Sequence, residues 1–232
     1  MSTARLHLIG GEKGGVGKSL VARLLAQYFI DKGFPFRGFD TDKSHGALLR
    51  FYADYASPVI VDRYESLDKV AEAAAESHER VLVDLAAQTH SFLVQWIEDS
   101  GLLDCAGEIG VTLTYWHVMD AGRDSVDLLR KLLDQFGNRL KLVLVLNEVR
   151  GDQFEILNAS GERARAEALG ASVLTIRKLQ DTTLQKIDQA SASFWSATHA
   201  ADGTVTGLGL LERQRVKLWL HRIYQQLDAL PV

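Results

Sequence analysis

Between residues 11 and 19 the chain reads Gly11-Glu12-Lys13-Gly14-Gly15-Val16-Gly17-Lys18-Ser19, and what flanks this stretch is of two different kinds. Leu6–Ile9 before it is a short apolar run of strand character. After it, Leu20, Val21, Leu24, Leu25, Tyr28 and Phe29 recur at i, i+3/i+4, which predicts a helix from Lys18 to Lys32 that stops before Gly33. A glycine-rich turn between a strand and a helix lets backbone N–H groups point inward around an anion, and the helix N-terminus adds the positive end of its dipole. In such a loop Lys18 would reach the β- and γ-phosphates of a nucleotide, and the Ser19 hydroxyl would sit on Mg²⁺.

Outward from the loop, the apolar runs alternate with helical patterns. Strands are expected at Phe36–Asp40, Pro58–Asp62, Val81–Leu85, Ile109–Tyr115, Leu140–Leu146 and Val173–Ile176. Helices are expected over residues 66–77, from Asp120 to about Phe136, near residues 161–169 and 182–190, and over Leu210–Leu227. Residues 191–209 read as a loop. The βαβα rhythm predicts an α/β fold, a mostly parallel twisted sheet with helices on both faces. No linker-like composition interrupts residues 1–232, so one domain is expected.

Composition narrows the class. With 232 residues, 47% hydrophobic and 24% charged, the chain is long enough for one sizeable core and is neither disordered nor membrane-like. A formal charge of −4 gives the whole molecule no electrostatic case for nucleic acid, so any DNA affinity would need a local basic patch. The lone Cys105 excludes an intramolecular disulfide and a Cys-x-x-Cys metal site, and the count fits a reducing compartment. No apolar run approaches the roughly 20 residues that span a bilayer, and the start of the chain lacks the pattern of a signal peptide. A cytoplasmic location is expected. His7, His45, His78, His90, His117, His199 and His221 show no metal-ligand spacing.

The ordinary Walker pattern wants glycine five residues before Gly17, where this chain has Glu12; the segment instead matches x-K-G-G-x-G-K-S with a second lysine, Lys13. It resembles the deviant Walker A loop of the MinD/ParA superfamily of P-loop ATPases. That resemblance implies a slow, partner-stimulated ATP hydrolase that binds Mg²⁺ and ATP and forms a nucleotide-sandwich homodimer. It implies that Lys13 crosses the dimer interface to the partner's phosphates and that Gly14 lets the two loops approach. The nucleotide would be held by Gly14, Gly15, Val16, Gly17, Lys18, Ser19 and Leu20. A cation supplied by the other subunit would couple phosphoryl transfer to dimerisation.

Phe39-Asp40-Thr41-Asp42 ends a strand beside the loop and looks like the family's D-x-D motif, with Asp42 orienting the attacking water and Asp40 supporting the Mg²⁺ shell. Val81-Leu82-Val83-Asp84 looks like a Walker B strand whose Asp84 holds Mg²⁺ through water. The residues that follow, Lys43-Ser44 and Leu85-Ala86-Ala87-Gln88, depart from the family pattern. Asn147 matches the family's adenine-facing asparagine, and Arg150 stands where a guanine-specific motif needs an acid, so ATP is favoured over GTP. Ile176-Arg177-Lys178 lacks the usual proline of the base pocket and receives no role. The single cysteine excludes the iron–sulfur members of the superfamily, and its ligases and synthases have no need of Lys13.

The closing helix carries Leu210, Val216, Trp219, Leu220, Ile223, Tyr224 and Leu227 on one face, with Arg213, Arg215, Lys217 and Arg222 around it. Packing on the sheet is the expected use; a membrane surface or non-specific DNA are the others. Gln214-Arg215-Val216-Lys217 is loosely similar to ParA-like ATPases encoded with conjugation and mobilisation genes. Trp116 and His117 are expected just past a strand end. Two functions follow: an ATPase switch that positions or partitions a cargo (DNA, a plasmid or a protein assembly) with an activating protein partner, or an ATP-dependent dimeric scaffold with little hydrolysis.

Overall fold

The computed structural model describes residues 4–42, 46–77, 79–200, 205–230 and 232. Seven strands form one sheet: β1 (Ala4–Gly10), β2 (Phe36–Asp40), β3 (Ala56–Pro58), β4 (Arg80–Asp84), β5 (Val111–Met119), β6 (Lys141–Asn147) and β7 (Ser172–Ile176). All pairings are parallel and the order is β3-β2-β4-β1-β5-β6-β7. Because side chains alternate across a strand, each strand feeds two cores. Leu6, Leu8, Val81, Val83, Leu113, Leu142 and Leu144 face α3 (Tyr64–Ser77), α4 (His90–Asp99), α6 (Arg123–Phe136), α7 (Glu155–Ser160) and α8 (Glu162–Ala168). Ile9, Leu82, Trp116, Val118, Val143, Val145 and Leu174 face α1 (Lys18–Lys32), α2 (Ala47–Phe51), α9 (Asp181–Gln189), α10 (Phe194–His199) and α11 (Leu210–Leu227). A short α5 (Leu102–Cys105) leads into β5.

The expected third strand moves. β3 pairs with Gly38–Asp40 over Ala56–Pro58, and a last bond from Val59 N to Asp40 O closes the pairing. Val59 and Val61 are apolar because they are buried in a turn, not because they form a strand. β5 runs to Met119, so Trp116 and His117 lie inside it and not beyond its end; both are buried. Within the expected loop 191–209, Ser193 caps α10 by accepting from Ser196 N, and Phe194 and Ala197 are buried. His45, His78 and the Lys43-Ser44 departure lie outside the described residues.

α11 packs on the sheet through Val216, Trp219, Leu220, Ile223 and Leu227, while Leu210 stands 74% exposed, off that face. Trp219 Nε1 donates to Arg177 O at 2.7 Å. Gln226 accepts from Thr175 N and donates to Thr175 O, both at 3.0 Å, along the outer edge of β7. Among the described residues no helix is long and apolar enough to cross a membrane.

Candidate nucleotide site

Register brings the candidate residues together. Ile9 of β1 lies opposite Asp84 of β4, and Asp40 of β2 lies on the other side of Asp84. The loop leaving β1 and the carboxylates ending β2 and β4 therefore meet at the C-terminal edge of the sheet, where open α/β sheets bind ligands. A cavity of about 440 Å³ opens there, within the range of small-molecule sites. Gly14, Gly15, Gly17, Lys18, Ser19, Leu20, Asp42 and Asp84 are among the residues that line it.

The glycines divide by reason. Gly17 is left-handed (φ 101°) as it opens α1, and a Cβ there would run into Asn147 Nδ2, so both conformation and space demand glycine. Gly14 has no such need: its φ is not positive, and an added Cβ would meet nothing within 4 Å. Val16 is buried as an anchor of the loop rather than exposed to the cavity.

Lys18 Nζ donates to Lys13 O at 3.1 Å across the loop. Burial lowers its pKa, opposed by the Asp84 charge. Asp84 is 3% exposed; one oxygen accepts from the Ser19 side chain, while Oδ1 is buried with no hydrogen-bond partner among the described residues. Burial, reinforced by the Asp40 charge, pushes the Asp84 carboxyl up to about 7. A hydroxyl beside an orphaned carboxylate oxygen is a hard-oxygen donor pair that a divalent cation would satisfy. No group of three or more His, Cys, Asp or Glu forms a metal cage among the described residues, so the remaining ligands would have to be water and phosphate.

Three expected roles meet a different geometry. Asp40 is 1% exposed and its oxygens accept from Asp42 N (3.0 Å), Leu48 N (2.9 Å) and Leu49 N, so it holds the loop after β2 to the start of α2 instead of facing a cation. Asn147 is fully buried: Nδ2 donates to Val16 O at 2.7 Å and Oδ1 accepts from Val149 N at 3.2 Å. Its amide is thus tied to the phosphate loop and the turn after β6, and the side chain offers no exposed surface to an adenine. Lys13 does not point away from its own chain. Nζ sits 2.9 Å from Asp120 Oδ2 and 3.8 Å from Asp124 Oδ2, and the hydrogen bond to Asp120 raises the lysine's pKa. Asp120 is also bonded by Ser125 Oγ (2.7 Å) and Gly122 N (3.0 Å). Burial pushes that carboxyl up, but these bonds outweigh it and leave it below the ordinary range.

Several participants carried no sequence signal. Thr41 Oγ1 donates to Asp84 O (3.0 Å) and accepts from Ala86 N (2.6 Å), tying the ends of β2 and β4. Arg23, Arg50, Phe51, Leu184 and Asp188 line the same cavity away from the loop. The one available signal was Arg23 itself, a charged residue inside the apolar periodicity of α1.

No protein-family model matches the chain. It is 27% identical to a TraL protein of Escherichia coli over 246 aligned positions, spanning 99% of each chain. It is 26% identical to MobD of Acidithiobacillus ferrooxidans over 183 positions, 76% of this chain and 78% of that one. Among solved structures, a chain of the MinC:MinD cell division protein complex of Aquifex aeolicus superposes with a TM-score of 0.56 at 14% identity, covering 99% of this chain and 97% of that one. A nucleotide-binding protein of Archaeoglobus fulgidus, in complex with ADP, gives 0.51 at 15% identity over 82% and 86% of the two chains. The chain has the α/β fold of P-loop NTPases.

Proposed function

We propose that this chain is a Mg-ATP-binding and hydrolysing switch of the ParA/MinD kind, which dimerises on ATP and positions or partitions a cargo. The observation that carries it is the convergence of Lys18, Ser19 and the unpartnered Asp84 Oδ1 on one cavity at the end of β1 and β4. When bound, Mg²⁺ would neutralise phosphate charge and fix the triphosphate for in-line attack. Ser19 and Asp84 would hold it, Lys18 and the loop N–H groups would hold the phosphates, and Asp42 would orient water.

Dimerisation is supported from within one chain by Gly14. Among the described residues an added Cβ there would meet nothing within 4 Å, so the loop is open on this side to the approach of a second loop. Lys13 would then exchange Asp120 for the partner's phosphates. A homodimer, an activating protein partner and a DNA, plasmid or protein cargo complete the reading.

The test combines nucleotide titration, light scattering and phosphate release. Wild type should bind Mg-ATP, double its mass and release phosphate slowly. Lys18→Ala should not bind, and Asp42→Ala should bind and dimerise without turnover. ATP binding by Lys18→Ala at wild-type affinity would sink the assignment. A wild-type dimer with no turnover, even with DNA or lipid present, would replace the switch by a scaffold.

A further inference from the structure

The lining of the cavity extends past the phosphate loop. Beyond Leu20 it continues over α1 to Arg23 and is walled by Arg50 and Phe51 of α2, Val149 and Arg150 after β6, and Leu184 and Asp188 of α9. Arg23 lies five residues past Lys18 on α1, about 7.5 Å along the axis at 1.5 Å per residue. That is a distance which the α- and β-phosphates bridge.

At this far end Arg23 is buried to 6% side-chain exposure and its guanidinium lies 3.6 Å over the Phe51 ring. Its ion-pair partner is Asp188, at 2.6 Å from Nη1, and its Nε and Nη2 have no hydrogen-bond partner among the described residues. A buried cation is costly unless paired, so the Arg23 charge commits Asp188 Oδ1 to one position. Arg50 adds a second tie, donating to Asp188 O at 2.7 Å and to Ser191 Oγ at 2.8 Å. The Asp188 carboxylate is therefore fixed on the wall while its side chain remains 52% exposed. Among the residues lining this end it is the one acid; the other polar side chains there are arginines, which only donate.

We propose that the nucleoside half of the ligand lies in this end, and that Asp188 is a binding residue accepting the ribose 2′- and 3′-hydroxyls, preset by Arg23 and Arg50. The inference rests on the nucleotide-binding reading above and adds to it a sugar selectivity. Leu184 and Val149 supply apolar wall for the base. A carboxylate that accepts from paired hydroxyls discriminates strongly against a sugar lacking them, because its lone pairs are then desolvated without a donor.

The experiment titrates the full chain, with Mg²⁺, against ATP, 2′-deoxy-ATP, 3′-deoxy-ATP and inorganic tripolyphosphate. Wild type should prefer ATP over each deoxy analogue by about tenfold or more. Asp188→Asn should lower ATP affinity to that of the analogues and leave tripolyphosphate unchanged, which also shows the phosphate loop intact. Since Asp188→Asn strands the Arg23 charge, the double variant Arg23→Met/Asp188→Asn is tested beside it, and it should lose the preference in the same way. Equal wild-type affinity for ATP and both deoxy analogues, or a preference retained in both variants, overturns the proposal with phosphate binding standing. Failure of wild type to bind either ATP or tripolyphosphate overturns the nucleotide reading, and this inference with it.

Discussion

Replacing Asp120 by Asn removes the charge that holds Lys13 in its own subunit while leaving an Oδ1 able to accept from Ser125 and Gly122. At 2.9 Å two unit charges in an effective dielectric of about 20 attract by roughly 6 kcal/mol before desolvation and side-chain entropy are counted. Lys13 is 32% and Asp120 18% exposed, so water screens much of this, and a net of about 1 kcal/mol is the appropriate scale. If Lys13 must leave Asp120 to cross to a partner, each dimer breaks two such pairs. The variant then gains about 2 kcal/mol, roughly thirtyfold in the dimer equilibrium. Sedimentation or light scattering across a concentration series with Mg-ATP reads this directly: the midpoint should fall by about that factor, with ATP affinity of the monomer little changed. A midpoint within twofold of wild type, or one shifted upward, would refute the idea that the Asp120 pair competes with dimerisation.

Asn147→Ala frees the Val16 carbonyl and the Val149 N–H, so it should weaken ATP and inorganic tripolyphosphate alike, by about tenfold; a loss confined to ATP would restore the adenine-facing role. Because Asp84 must be ionised to hold a cation and its pKa stands near 7, Mg²⁺-dependent ATP affinity should fall about tenfold per pH unit below 7. Equal affinity at pH 6 and pH 8, measured against a chelated control, would contradict this. Burial, helped by the Arg80 charge, lowers the His7 pKa to about 3, and burial lowers that of His117 to about 4. The unfolded chain therefore binds protons first as pH falls below about 6.5, and stability should decline from there toward pH 4 and then 3. His7→Gln, whose amide oxygen can still accept from Trp116 Nε1, should make urea midpoints less steep in pH over that range; an unchanged slope would remove His7 from the account.

The parts of the fold that were legible are those where one local pattern has one cause. α1, β2 and α11 begin and end where apolar periodicity and the flanking glycines place them. Val59 and Val61 misled because burial in a turn leaves the same apolar trace as a strand. α4 leaves a weak trace although Leu93, Trp96 and Ile97 have helical spacing, since only three buried positions carry the signal. In the site, the loop and Asp84 follow from covalent neighbourhood: each leaves a strand at the same sheet edge. The partners of Lys13, Asp40 and Asn147 do not, because they are set by contacts such as Lys13 with Asp120 and Asn147 with Val16, which no short window contains. The same holds for Arg23 and Asp188, 165 residues apart in sequence.

The bonds from Gln226 to both backbone groups of Thr175 bear on how copies of this chain can come together. A parallel sheet ends in a row of unsaturated peptide groups that invites another strand, and open-ended stacking of that kind leads to fibres. Here one rim is stitched shut by an amide from α11, with Trp219 covering the next carbonyl at Arg177, and the other rim is a three-residue strand ending in Pro58. Growth by adding sheet to sheet is thereby disfavoured at both sides. Under the proposed switch two copies would meet through the loops at the site, where association can be made conditional on what the loops hold and can be undone when that ligand changes.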